Sequence, residues 1–262
     1  MKKIIKKIFI KIFNSFGLEA DFAIKRKYTS YEFIDKNSLE PIFYQDELVK
    51  LYEEALISSE MSYTDNFYKR SRHYTLQQLL SHVLRSGLTG DVAECGCWKG
   101  HSSFIICSLL KKNNFSNNYY IFDSFEGGLS EKIDKDSNTR KKLSKRQIHN
   151  EKNCFSSTEL GVRNLLKDFD FYKIYKGWIP EKFYNVENCE FIFIHIDVDL
   201  YQPTTESLNF FYDRLKKGGV IVIDDYGYTQ FPGCKTAVDE FLETKQVSFF
   251  LSNLTGGCFI IK

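Results

Sequence analysis

Two short apolar runs, each ending in a pair of aspartates, most constrain what this chain can fold into. Phe191 to Ile196 (FIFIHI) leads into Asp197 and Asp199, and Val220 to Ile223 (VIVI) leads into Asp224 and Asp225. Each run has the length and β-branched content of a strand buried on both faces, as in a parallel sheet. The amphipathic stretch between them, Thr204 to Lys216, reads as a crossover helix, and such units are right-handed. In an open α/β sheet the ligand crevice lies just beyond the C-terminal ends of the strands. Adjacent strands would therefore bring up to four carboxylates to one spot. Clustered carboxylates repel unless they are protonated or bound to a cation. An all-oxygen set without His or Cys suits a hard ion such as magnesium. A plainer reading makes some of these acids helix caps, with Asp199 serving the helix near Pro203. An Asp-Asp pair directly after a core strand is not the usual form of a cap.

A second signal lies upstream, in GDVAECGCWKGHSS. Asp91 to Cys95 reads as a short strand, and a helix follows from about Ser102 to Lys111. Between them Glu94, Gly96 and Gly100 follow the order acid, x, Gly, x, x, x, Gly. Glycine permits a tight strand-to-helix turn and lets a ligand approach the backbone. The stretch lacks the three glycines of a dinucleotide fingerprint. Next comes NNYYIFDSFEGG, a strand ending in Asp123. An acid at the end of the second strand is placed to hydrogen-bond ribose hydroxyls. Either carboxylate alone fits a structural role. Together, and ahead of the aspartate cluster, they point to an adenosyl ligand at the start of the sheet.

VAECGCWKGHSS, IFDSFEGG, KGWIPEKF, FIHIDVDLYQPT, GGVIVIDDYG and FPGCKTAVDEF occur in that order from about Met61 to the C-terminus. In these strings the chain resembles the macrocin O-methyltransferase family, class I enzymes that use S-adenosylmethionine to methylate sugar hydroxyls on antibiotics and related glycosides. The resemblance implies an α/β fold: a Rossmann-like seven-stranded class I methyltransferase sheet with an antiparallel last strand and helices on both faces. Residues 61–262 would form that domain, and residues 1–60 an N-terminal helical extension. It implies a cofactor site with Glu94, Gly96 and Asp123, with Gly100, Ser102 and Ser124 beside them. It also implies magnesium or manganese on Asp197, Asp224 and Asp225, with Asp197 as the base that takes the acceptor's proton. Asp199 is the competing base. The chain departs from the family pattern at Cys95, Cys97 and Cys234, and in the Lys- and Asn-rich segment from Glu131 to Asn153, where the family places a substrate lid.

Three other side-chain groups have two readings each. His195 lies inside its strand run and reads as a packed core histidine before it reads as a base. Tyr201 and Tyr226 either line the acceptor site or simply pack. Arg70 and Arg72, in MSYTDNFYKRSRHY, either meet the methionyl carboxylate of the cofactor or are solvated.

Composition bounds the alternatives. The 262 residues fit one large α/β domain plus an extension. A net charge of only +2 gives no nucleic-acid signature. The 7 cysteines form no C-x-x-C pair and suit a reducing cytoplasm. The N-terminus, MKKIIKKIFIKIFNSFG, carries five lysines in its first 11 residues and no acid before Glu19. On a helix its Ile and Phe residues share one broad face and its lysines the other. It is too interrupted for a membrane span and lacks a cleavage site. Such a helix can lie on an anionic membrane surface, or dock on the body of the protein or on a second subunit of a homo-oligomer. Further helices are expected at Gln45 to Ser58, His73 to Leu84, Ser157 and Cys234, a strand at Phe171, and a terminal hairpin of Val247 to Leu251 and Cys258 to Ile261. Two other functions remain: an NAD-dependent sugar oxidoreductase, disfavoured by the missing third glycine, and an inactive scaffold, disfavoured by a repulsive acid cluster that a dead site has no reason to keep.

Overall fold

A computed structural model describes residues 47–137 and 154–262. The basic N-terminal segment and most of the Lys- and Asn-rich segment lie outside the described residues, as do the expectations placed on them. Among the described residues, no helix is long and apolar enough to cross a membrane.

Seven strands form one sheet: β1 (Asp91–Cys95), β2 (Tyr119–Asp123), β3 (Tyr172–Lys176), β4 (Phe191–Ile196), β5 (Leu215–Ile223), β6 (Phe249–Ser252) and β7 (Cys258–Ile261). Their order is β3-β2-β1-β4-β5-β7-β6. The first five are parallel, and β7 runs antiparallel to both β5 and β6. The chain reverses its direction of travel across the sheet between β1 and β4, which opens a crevice at their C-terminal ends. Every residue of β1 and β4 is buried, the polar Asp91, Glu94 and His195 included.

Helices cover both faces. One face carries α1 (Glu47–Ser58), α2 (Phe67–Arg85) and α3 (His101–Lys112) over Val92, Ile121, Phe193 and Val220. The other carries α5 (Tyr201–Arg214) and α6 (Pro232–Thr244) over Ala93, Ile194, Ile196 and Ile221. The short α4 (Glu159–Leu165) precedes β3. Helix α1 places Tyr52, Ala55 and Leu56 in the same core as the strands.

Several boundaries differ from the sequence expectation, each for a local reason. Helix α2 begins at Phe67 because the Asn66 side chain accepts from Lys69 N at 2.9 Å and caps it. Helix α5 begins at Tyr201, so Pro203 falls in the first turn, where its missing N–H has no helical partner to lose. Strand β5 begins at Leu215, whose pairing with Phe191 draws the Lys-Lys-Gly-Gly stretch into the strand. Leu200, not Asp199, occupies the N-cap position of α5, and Asp199 stands before it in the left-handed region at φ 60°.

Candidate active site

The strand ends fix the site before any side chain is considered. Asp197 N donates to Cys95 O at 2.8 Å and Asp224 N to Ile196 O at 2.9 Å, so the ladder continues one residue past each strand. Asp197 and Asp224 are thereby held in register with the end of β1. Gly96 donates to Phe122 O at 2.8 Å and turns at φ +81°. A Cβ on Gly96 would lie 1.9 Å from the carbonyl oxygen of Asp197. Only glycine lets the first turn and the end of β4 approach this closely.

Two clefts open at this edge. The first lies over the ends of β1 and β2, with Gly96, Asp123, Ser124, Trp98 and Trp178 in its walls. Asp123 Oδ2 accepts from Cys97 N at 2.9 Å and Trp98 N at 3.0 Å, and its Oδ1 accepts from Phe125 N at 2.9 Å. The carboxylate thus shapes the glycine turn while it faces the cleft. The second cleft lies over β4 and β5 and takes in Lys69, Arg72, Ser102, Asp224, Asp225 and Tyr228. The two share Asp197, Asp199, Trp98 and Phe155. A molecule in one cleft therefore meets a molecule in the other across Asp197 and Asp199.

Asp197, Asp224 and Asp225 each place a carboxylate oxygen within 4.8 Å of the others. Asp199 joins through its backbone, donating to Asp225 Oδ2 at 3.2 Å. Burial pushes the Asp197 and Asp225 carboxyls well above the usual carboxylate range, and repulsion adds to it, from Asp224 and Asp225 on the first and from Asp199 and Asp224 on the second. Arg72 is a partial counter-charge. Its Nε donates to Asp224 Oδ2 at 2.8 Å, a second nitrogen to the Tyr228 hydroxyl, and its guanidinium stacks 4.8 Å from the Tyr228 ring centroid. Burial also draws Lys69 down to about 8, against the pull of Asp197 and Asp224.

The other candidates fall elsewhere. Glu94 reaches neither cleft. It is fully buried in β1, where it accepts from Tyr119 OH at 2.6 Å, from Ser103 Oγ and from His195 Nδ1 at 2.9 Å. His195 is its partner in the core. Gly100 is the N-cap of α3 and stands in the left-handed region at φ 82°, which favours glycine, and it lines neither cleft. Arg70 is bound to Asp65 and Glu53, and Arg72 to Asp224, so neither meets the first cleft. Tyr201 OH lies with Lys135 and Glu240, and Tyr226 OH with Asp239. Lys69, Trp98, Phe155 and Tyr228 were not expected. Of these, Trp98 lies inside the glycine turn and Lys69 in MSYTDNFYKRSRHY, beside the two arginines singled out there.

Chemically, the arrangement offers a hydrogen-bonding cleft for one ligand, an acid-lined cleft for a second, and carboxylates at their junction. A model of the Macrocin-O-methyltransferase (TylF) family matches residues 57–260. The demethyldecarbamoylnovobiocin O-methyltransferase of Streptomyces niveus is 25% identical over 171 residues, 63% of this chain and 63% of that protein. The 8-demethyl-8-(2,3-dimethoxy-alpha-L-rhamnosyl)-tetracenomycin-C 4'-O-methyltransferase of Streptomyces olivaceus is 26% identical over 189 residues, 69% of each chain. The chain thus matches between three-fifths and seven-tenths of these relatives' lengths. Among solved structures, the O-methyltransferase NovP superposes with a TM-score of 0.61 at 22% identity, over 72% of this chain and 78% of that one.

Proposed function

The chain belongs to the macrocin-O-methyltransferase family, and from that premise we propose that it moves a methyl group from S-adenosylmethionine to a hydroxyl of a sugar or glycoside, with a divalent cation in the acid-lined cleft. The observation that carries the reading is the junction of two clefts at Asp197 and Asp199. The oxidoreductase and scaffold readings are not favoured, since the matching family and relatives are O-methyltransferases.

The residues fit both groups. In the first cleft, Asp123 offers carboxylate oxygens to ribose hydroxyls, Ser124 stands beside it, and Gly96 keeps the turn open to a ligand. In the second, the three carboxylate oxygens within 4.8 Å of one another are a hard, all-oxygen donor set for magnesium or manganese. Their mutual repulsion is the chemistry that a cation relieves. A bound dication would orient two vicinal sugar oxygens and lower the pKa of the one that reacts. The cofactor supplies an activated methyl on sulfur, and the remaining work is alignment and proton removal.

The chain's own residues do that work. Asp197, shared by the two clefts, accepts the acceptor's hydroxyl proton as its oxygen attacks in line. Asp199, one residue past Val198 and equally shared, is the alternative acceptor. Arg72 holds Asp224 in place through its 2.8 Å bond. Trp98 and Phe155 form apolar wall common to the two clefts.

The test is methyl transfer from tritiated S-adenosylmethionine to a panel of saccharides. Transfer to carbohydrate is expected with magnesium, is lost in EDTA, and returns with magnesium or manganese. Full activity in EDTA would remove the cation from the mechanism and leave the methyl transfer standing.

A further inference from the structure

A third depression, which the reaction does not use, lies beside the acid-lined cleft. It is a groove of about 590 Å³, within the range of roughly 300–1,000 Å³ that small-molecule sites occupy. Ser58 and Ser59 from the end of α1, Ser156, Ser157 and Thr158 ahead of α4, and Asn164 on α4 line it.

The groove adjoins the proposed acceptor cleft along three segments of chain. Ser58, Ser59 and Glu60 line the groove, and the next residue, Met61, lines the cleft. Ser156 lines the groove and Phe155 the cleft. Lys99 lines both, and its ammonium lies 5.3 Å from the Tyr63 ring centroid and 5.9 Å from that of Trp98.

Its chemistry differs from that of the cleft. The acid-lined cleft has four aspartates, whereas the groove is lined mainly by hydroxyls and an amide, with Val162 and Leu165 as its apolar part. Ser59 Oγ donates its proton to Ala55 O at 2.6 Å, which leaves its lone pairs as acceptors. Thr158 Oγ1 accepts from Gly161 N at 3.2 Å, which leaves its own O–H to donate. Asn164 offers both functions in one side chain. Closely spaced donors and acceptors match the hydroxyls of a second sugar ring. A flat apolar aglycone would cover these groups and leave them without hydrogen-bond partners, which disfavours it. A nucleotide diphosphate would set its charge against Glu60, which shares this rim with Lys99.

We propose that this groove is a second saccharide subsite, holding the sugar that adjoins the methylated one, so that the acceptor is an oligosaccharide or glycan chain. The proposal rests on the reading of the acid-lined cleft as the acceptor site. Lys99, at the threshold, donates to the oxygens of the linkage between the two sugars. Ser59 and Thr158 pair with the ring hydroxyls of the second, and Asn164 fixes its orientation.

The test uses the full chain saturated with S-adenosylhomocysteine on a printed panel of hexose and deoxyhexose mono-, di- and trisaccharides. At least one di- or trisaccharide should be retained about tenfold more tightly than its own terminal monosaccharide, the effect of one or two net hydrogen bonds. Asn164→Leu and Ser58→Leu, both at exposed positions, should remove that gain while leaving monosaccharide retention and the melting temperature unchanged. Asp224→Asn should weaken the monosaccharide and leave the ratio intact. If the wild type methylates no saccharide yet holds oligosaccharides in an Asn164-dependent way, the groove stands and the methylation reading falls. If added sugars bring no gain, or the gain survives in both groove variants, the subsite is overturned whatever the methyl-transfer assay shows.

Discussion

One sheet carries two buried acidic centres that meet opposite fates. Glu94, in the interior strand β1, is surrounded by donors: His195, Tyr119 and Ser103. Burial alone would raise it, yet those bonds hold it below the usual carboxylate range. Asp197 and Asp225, just beyond the ends of β4 and β5, are surrounded largely by other carboxylates, and burial and repulsion both drive them upward. The two centres share burial and differ in compensation. A buried acid with a full set of donors is scaffold. A buried acid facing its own kind is an unmet demand for a proton or a cation, and unmet demands gather where chemistry is done.

Three substitutions separate scaffold from site, from the largest effect to the smallest. Asp197→Asn should lower methyl transfer by about 10²–10⁴-fold, the usual contribution of a positioned acid or base, while the melting temperature in cation-free buffer holds or rises. Full activity in this variant would shift the proton to Asp199. Glu94→Ala should cost about 3–5 kcal/mol in urea denaturation, because it leaves His195, Tyr119 and Ser103 without their buried partner. A well-folded but inactive Glu94→Ala protein would break the distinction by making Glu94 part of the chemistry. Asp225→Asn should stabilise the cation-free protein by roughly 0.5–2 kcal/mol near neutral pH, the usual size of a stabilising single change. The sign follows from proton uptake. An aspartate whose folded value lies above its unfolded value of about 3.9 makes the wild type lose stability as pH rises between the two. Asparagine removes that loss, so the gap between variant and wild type should open with pH and close in acid, as read by thermal melts in EDTA. Saturating magnesium should reverse it.

Much of the frame was legible because buried parallel strands write themselves as unbroken apolar runs. FIFIHI and VIVI placed β4, β5 and the aspartates beyond them, and YYIFD placed Asp123. What stayed hidden needed partners distant in sequence. Nothing local to Arg72 says that it closes on Asp224, 152 residues away. The pairing of Glu94 with His195 depends on the β1–β4 register, which two separate strings do not encode, so an acid that looks like a ligand proves to be interior. Tyr201 and Tyr226 follow active-site motifs, but their hydroxyls meet Glu240 and Asp239 instead. Lys69 lies in the stretch MSYTDNFYKRSRHY, but nothing there singles it out from Arg70 and Arg72. It matters because α2 starts six residues earlier than its apolar spacing implied and lays that turn over the acids.

The contact at Gly96 sets which parts of this scaffold can be redesigned. Even a methyl group there would collide with the carbonyl of Asp197, so the wall of one cleft and the backbone of the other cannot be adjusted separately. Any larger residue at 96 would displace the glycine turn and the end of β4 together. Retargeting toward new acceptors should therefore begin at Ser58 and Asn164, where each change is local, and leave the turn untouched.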